Sequence, residues 1–200
     1  GSGTQTAGLA FGGNPGPGVT NATEEYDGSS WTSGGNLNVS RKEMGGAGIQ
    51  TDTLAFGGQE PSHSNKVENY NGTSWTANSN TLATARYALG GAGTSSSALA
   101  FGGSPSGTAA EEFNKSTNAI TAGAWASAAN YPAAGYGGAG CGTSTAGLGF
   151  SGQPTAWNTL TCKFDGSSWT TSGALPSGRR YMAGLGTQTA ALASQGSTIG

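Results

Sequence analysis

The sequence predicts an all-β fold: a β-propeller of four blades, each about 45 residues and four antiparallel strands, with a partial closing unit behind them. The first observation is a period. Leu9-Ala10-Phe11-Gly12-Gly13 returns as Leu54-Ala55-Phe56-Gly57-Gly58, as Leu99-Ala100-Phe101-Gly102-Gly103 and, altered, as Leu148-Gly149-Phe150-Ser151-Gly152. The second is an ordered pair of aromatics in each period: Tyr26, Tyr70, Phe113 and Phe164, then Trp31, Trp75, Trp125 and Trp169. The third is that no window holds apolar residues at helical spacing over three turns, and Gly and Pro interrupt every candidate. Counting from Gly3 to Gly48, Gly93, Gly140 and Gly186 gives repeat lengths of 45, 45, 47 and 46. The 200 residues therefore read as one domain with units 4–48, 49–93, 94–140 and 141–186 and a partial unit 187–200.

Within the first unit, Thr6 to Phe11 carries β-formers in alternation and is ended by Gly12-Gly13. Thr23 to Tyr26 reads as a second strand. Asp27-Gly28-Ser29-Ser30 is a tight turn, because an Asx side chain can cap the backbone and Gly accepts positive φ. Trp31 opens a third strand, and Arg41 to Gly48 supplies a fourth. The chain starts on Gly3-Thr4-Gln5-Thr6-Ala7 and returns to Gly186-Thr187-Gln188-Thr189-Ala190, so it begins and ends inside a repeat. Unit one is expected to lack its innermost strand and to receive residues 179–186 in that place, a clasp that closes the ring and covers its edges. A five-bladed ring would instead leave two strands missing from the fifth blade. A start at Gly1-Ser2-Gly3, without Met, fits a segment of a longer array.

Composition narrows function more by exclusion. Charged residues make up 9% of the chain, against roughly 25% in an ordinary domain. The net charge is −2, and the eight Lys and Arg are scattered apart from Arg41-Lys42 and Arg179-Arg180. Nucleic-acid binding needs a clustered cationic face, and so does a polybasic membrane anchor. No apolar run approaches the roughly 18 residues of a membrane helix. With one histidine, His63, the chain is expected to hold no metal and no other cofactor.

Residues that recur in every copy read as packing. Phe11, Phe56, Phe101 and Phe150 and the four in-register tryptophans suit repeated plugs between blades, since a substrate site is built once from unlike residues. The acids Glu24-Glu25, Glu68 and Glu111-Glu112 also repeat, and are expected on a solvated strand face rather than in catalysis. A glycosidase needs a carboxylate pair held across the sugar. No Gly-x-Ser-x-Gly elbow runs from a strand into a helix. Cys141 and Cys162 both lie in the fourth unit and are expected as free, buried thiols.

A diglycine closing a hydrophobic strand, then an aromatic, a tryptophan and an Arg before a glycine-rich strand, resembles the kelch repeat. Arg41, Arg86 and Arg179 match its Arg, and the third unit, with Ala133 there, departs from it. The blades are most similar to kelch-like arrays in predicted tail and appendage proteins of bacteriophages. The resemblance implies a non-enzymatic structural or receptor-binding module on a virion or extracellular surface. Its implied partners are other virion or appendage proteins or copies of itself, with a host-surface glycan as the alternative ligand of a lectin-like propeller. Galactose oxidase shares kelch-type blades, but its copper needs two His and two Tyr, and His63 alone cannot supply that set. In sialidase-type Asp-boxes Asp and Gly are separated by one residue, whereas Asp27 and Gly28 are adjacent.

Variation between copies points to a binding surface, because a scaffold keeps its plugs and diversifies its loops. The segment after each diglycine differs every time: Asn14 to Gly18, Gln59 to Lys66, Ser104 to Gly107 and Gln153 to Asn158. In kelch-like propellers these loops share a face with the linkers between blades. Glu60, His63, Lys66 and Trp157 are the candidate binding residues, Trp157 being the tryptophan outside the repeat register.

Overall fold

The computed structural model describes every residue except 17, 116–123, 133–134, 151–157, 195 and 197–200. Its described residues form strands joined by turns, and the strands assemble into a four-bladed β-propeller with two small two-stranded sheets. Blade one is β1 (Ser2–Thr4), β2 (Ala7–Gly13), β3 (Thr20–Tyr26) and β4 (Trp31–Ser33). Blade two is β5 (Gly45–Ile49), β6 (Asp52–Phe56), β9 (Val67–Tyr70) and β10 (Trp75–Asn78), with a small hairpin of β7 (Gln59–Glu60) and β8 (Ser62–His63) inserted after β6. Blade three is β11 (Gly90–Gly93), β12 (Ser97–Phe101), β13 (Ala110–Asn114) and β14 (Ala124–Ser127). Blade four is β15 (Ala139–Thr143), β16 (Ala146–Phe150), β17 (Thr161–Phe164) and β18 (Trp169–Thr171). The second small sheet pairs β19 (Ala183–Gly186) with β20 (Ala191–Ser194).

The turn before each outer strand behaves as its residues dictate. Asp27 Oδ1 accepts the amides of Ser29 and Ser30 at 2.8 Å, and Asp165 repeats this with Ser167 and Ser168. Those amides hold the Asp27 carboxyl well below the usual carboxylate range. Asn71 does the same job in blade two without a charge.

The inner strands are glycine-rich because they crowd round the axis. A Cβ on Gly91 would lie 2.5 Å from the carbonyl oxygen of Gly46 on the neighbouring blade, and one on Gly184 would lie 2.8 Å from that of Gly140. The diglycine works differently: Gly57 and Gly58 have φ of 67° and 99°, which turns the chain out of the blade.

Between blades, three of the four phenylalanine plugs meet the tryptophan of the next copy edge-on. Phe11 and Trp75, Phe56 and Trp125, and Phe101 and Trp169 lie with centroids 5.1, 5.2 and 5.1 Å apart. The series breaks at blade one, where Trp31 is 53% exposed while Trp75 is 5%. The four tryptophans are therefore not equivalent plugs. The face of blade one that carries Trp31 has no complete blade against it, because only the β19–β20 sheet lies on that side.

The repeated acids also need correcting. Glu68 and Glu111 are buried at 2% and 6% exposure, not solvated. Arg41 and Arg86, both wholly buried, pair with them at 2.7 Å. Each guanidinium is further satisfied by two carbonyls: Gly57 and Lys66 for Arg41, Gly102 and Ala109 for Arg86. The second oxygen of Glu68 accepts the Asn38 amide, and that of Glu111 accepts the Ala83 amide. The Nε of Arg41 and of Arg86 is buried without a hydrogen-bond partner, so the carbonyl and amide bonds to the other atoms are what offset desolvation of each pair.

Ala133 lies outside the described residues, and the Arg register of the third linker belongs to Gly135. Gly103 N–H donates to Gly135 O at 3.0 Å, as Gly13 donates to Arg41 O and Gly58 to Arg86 O at 2.8 Å. Blade four has lost both partners together. Cys162 stands opposite Gly149, where Glu68 stands opposite Ala55. The two thiols are free and buried. Cys141 packs with Leu148 and Phe150 in one cluster, and Cys162 with Phe101 and Tyr131 in another.

The expected clasp does not form. Ser2–Thr4 itself is the innermost strand of blade one, paired with Leu9, Gly8 and Ala7. Ala183–Gly186 pairs with Ala191–Ser194 instead of completing blade one. Strand β19 packs between β15 and β1, so five inner strands ring the axis while four blades are complete.

Candidate binding face

The linkers between blades and the loops after the diglycines meet on one face, as the varied loops suggest. Lys42 and Gln59 exchange backbone hydrogen bonds at 3.2 and 2.9 Å. Tyr87 and Ser104 repeat the exchange one blade on, at 3.1 and 3.0 Å. The first two linkers are thus each stitched to the loop of the blade they enter.

At matching places in the four linkers the backbone turns left-handed: Glu43, Ala88 and Tyr181 have φ of 57°, 54° and 55°, and Gly137 has 70°. A non-glycine residue rarely accepts this conformation. Here it is held by a chain of backbone bonds running round the channel mouth. Ala88 N–H donates to Glu43 O at 2.8 Å, Gly137 to Ala88 O at 2.8 Å, and Tyr181 to Gly137 O at 2.7 Å. This bonded run carries side chains of three kinds, Lys42, Tyr87, Tyr136 and Arg180. Burial, then the nearby Glu43 carboxylate, pushes the Tyr181 hydroxyl above its ordinary range.

Three of the four candidate residues come together here. His63 stacks on Tyr87 with centroids 4.7 Å apart and planes tilted by 35°. Glu60 and Lys66 form an ion pair at 2.7 Å, with Lys66 half exposed. Ser64 bridges the hairpin, donating to Glu60 Oε1 at 3.4 Å and accepting from the Lys66 amide at 3.2 Å. The fourth candidate, Trp157, lies outside the described residues.

Sequence reasoning missed Tyr87, Tyr136 and Tyr181. The signal was available: next to the fixed Arg positions, residues 42, 87 and 180 are Lys, Tyr and Arg, so identity there is free while the backbone is not.

The axial channel is chemically quiet. A cavity of about 490 Å³ runs along the inner strands, lined by Gly46, Ala47, Gly91, Gly140, Cys141 and Gly184. No Asp, Glu, His or Lys reaches it among the described residues. Cys141 is its thiol, and burial pushes that thiol up to about 11. No three His, Cys, Asp or Glu side chains converge among the described residues.

The solved structures decide what this architecture is similar to. The fold is a propeller. The structure of YjhT matches with a TM-score of 0.78 over 100% of this chain and 76% of that one, at 13% identity. That likeness concerns the fold alone. Many solved chains match, 145 in all, so the fold is widely used and names no activity. No family model matches the sequence, and no curated protein matches it either.

Proposed function

We propose that this propeller is a non-enzymatic binding and structural module of a virion or extracellular appendage, and that its linker face contacts the partner. The observation that carries the reading is the division of labour between repeated and varied residues. Repeated aromatics and the Arg–Glu pairs are consumed in packing, while Glu60, His63 and Lys66, from a loop that differs from copy to copy, gather with Tyr87 on one rim. The sequence likeness to phage appendage arrays and the low charge support the location.

A lectin-like reading is the alternative, favoured by the stacked His63–Tyr87 pair beside the Glu60–Lys66 pair. An aromatic plane with adjacent polar groups suits the apolar face and hydroxyls of a sugar. Binding to a glycan array and to bacterial envelope preparations tests both readings. Capture of either probe should weaken at least about tenfold in His63→Ala/Tyr87→Ala, a loss of the size one good contact carries, while the thermal melt stays in place. Hydrolysis or oxidation of bound sugar by the intact chain would overturn the non-enzymatic reading, and capture unchanged in the double variant would overturn the face assignment.

A further inference from the structure

We infer that blade one carries a guanidinium-binding site, built to take an arginine side chain from outside residues 1–200. Blades two and three each hold a buried guanidinium in one recurring cradle. Its parts are the carbonyl of the first diglycine residue, the carbonyl two residues before the acid, and the acid itself.

Blade one has all three parts. Glu24 stands opposite Ala10, as Glu68 stands opposite Ala55 and Glu111 opposite Ala100. Gly12 follows Phe11 as Gly57 follows Phe56, and Ala22 occupies the place of Lys66 and Ala109. The ladder shifts register between Phe11 and Gly13, yet Gly12, Ala22 and Glu24 still line one common cleft. That cleft measures about 380 Å³ and is completed by Phe11, Asn14 and Thr20. Unlike Glu68 and Glu111, Glu24 is exposed, so its carboxylate can be reached from solution.

Adjacent features fit the same side chain. Two residues along the same strand pair, where Glu24 faces Ser33 and Tyr26 faces Trp31, the rings of Tyr26 and Trp31 stack with centroids 5.0 Å apart. A flat aromatic shelf next to a carboxylate suits the planar guanidinium and its aliphatic stem. Lysine is a poorer match. Its ammonium lacks the forked donors that reach two carbonyls and a carboxylate together, the geometry seen at Arg41 and Arg86.

The test is a titration of the full chain with Nα-acetyl-L-arginine methylamide, followed by amide chemical shifts, beside the same titration with the lysine counterpart. Saturable shifts should centre on Gly12, Gly13 and Glu24. The lysine compound should bind at least about tenfold more weakly, and Glu24→Gln should weaken arginine binding by a similar factor, as loss of a charge-assisted bond does. Glu24 is exposed, so that variant keeps the fold. No saturable shift, equal response to the lysine compound, or unchanged binding in Glu24→Gln would each overturn the site.

Discussion

At the scale of single residues, identical letters in the repeat carry unequal energies because their surroundings differ. Trp75 plugs the gap to Phe11 and donates its indole N–H to Thr23 Oγ1 at 2.9 Å, whereas Trp31 leans on Tyr26 at the open side. Trp75→Ala should therefore cost about 3–5 kcal/mol, in the range of buried aromatic truncations. Trp31→Ala should cost well under half of that in the same urea melts. Glycines divide likewise. A methyl at Gly91 would press on the Gly46 carbonyl, so Gly91→Ala should lose about 1–3 kcal/mol. Gly173 has nothing within 4 Å of its would-be Cβ, and Gly173→Ala should be neutral or gain about 0.4–1 kcal/mol. Cys141 adds a pH dependence. Its folded pKa is raised to about 11 by burial, above the roughly 8.5 of an unfolded thiol. The contribution is present in full below the unfolded value and is lost as pH rises through the folded one. Melts of the wild type should fall from about pH 8.5 upward more steeply than those of Cys141→Ala, and a parallel fall would contradict the assignment.

At the scale of elements, the Arg–Glu pair fastens each linker to the blade it enters. Removing one partner strands a buried charge, so Arg86→Met should cost about 3–5 kcal/mol. Arg86→Met combined with Glu111→Met should cost less than that single change, as double-mutant melts can establish. Blade four already shows the apolar solution, with Gly135 and Cys162 in the two places. The sequence made the strands of each blade legible because diglycine, aromatic and tryptophan recur in order. It concealed the ion pair, since Glu68 lies in a strand of mixed polarity and its Arg is 27 residues away. It also concealed β1, because Ser2–Thr4 is three residues with no pattern of its own. Of the binding face, Glu60, His63 and Lys66 were legible through loop variation. Tyr87 was not singled out, because its stacking on His63 brings together a hairpin and an outgoing linker that lie far apart within the same repeat unit.

At the scale of the whole molecule, stability in a repeat fold sums from units and their interfaces, so position in the series sets local protection. Blades two and three have complete blades on both sides. Blade one has a complete neighbour only at blade two, and blade four is backed by the two strands β19 and β20. Graded interfaces, and not a uniform ring, therefore set the local stability of each blade. Native-state hydrogen exchange resolved by residue measures this directly. Amides of β6, β9, β12 and β13 should exchange slowest, near the global unfolding limit, while those of β1, β4 and β20 should open at distinctly lower cost. Equal protection throughout, or slowest exchange in β1 and β20, would contradict it.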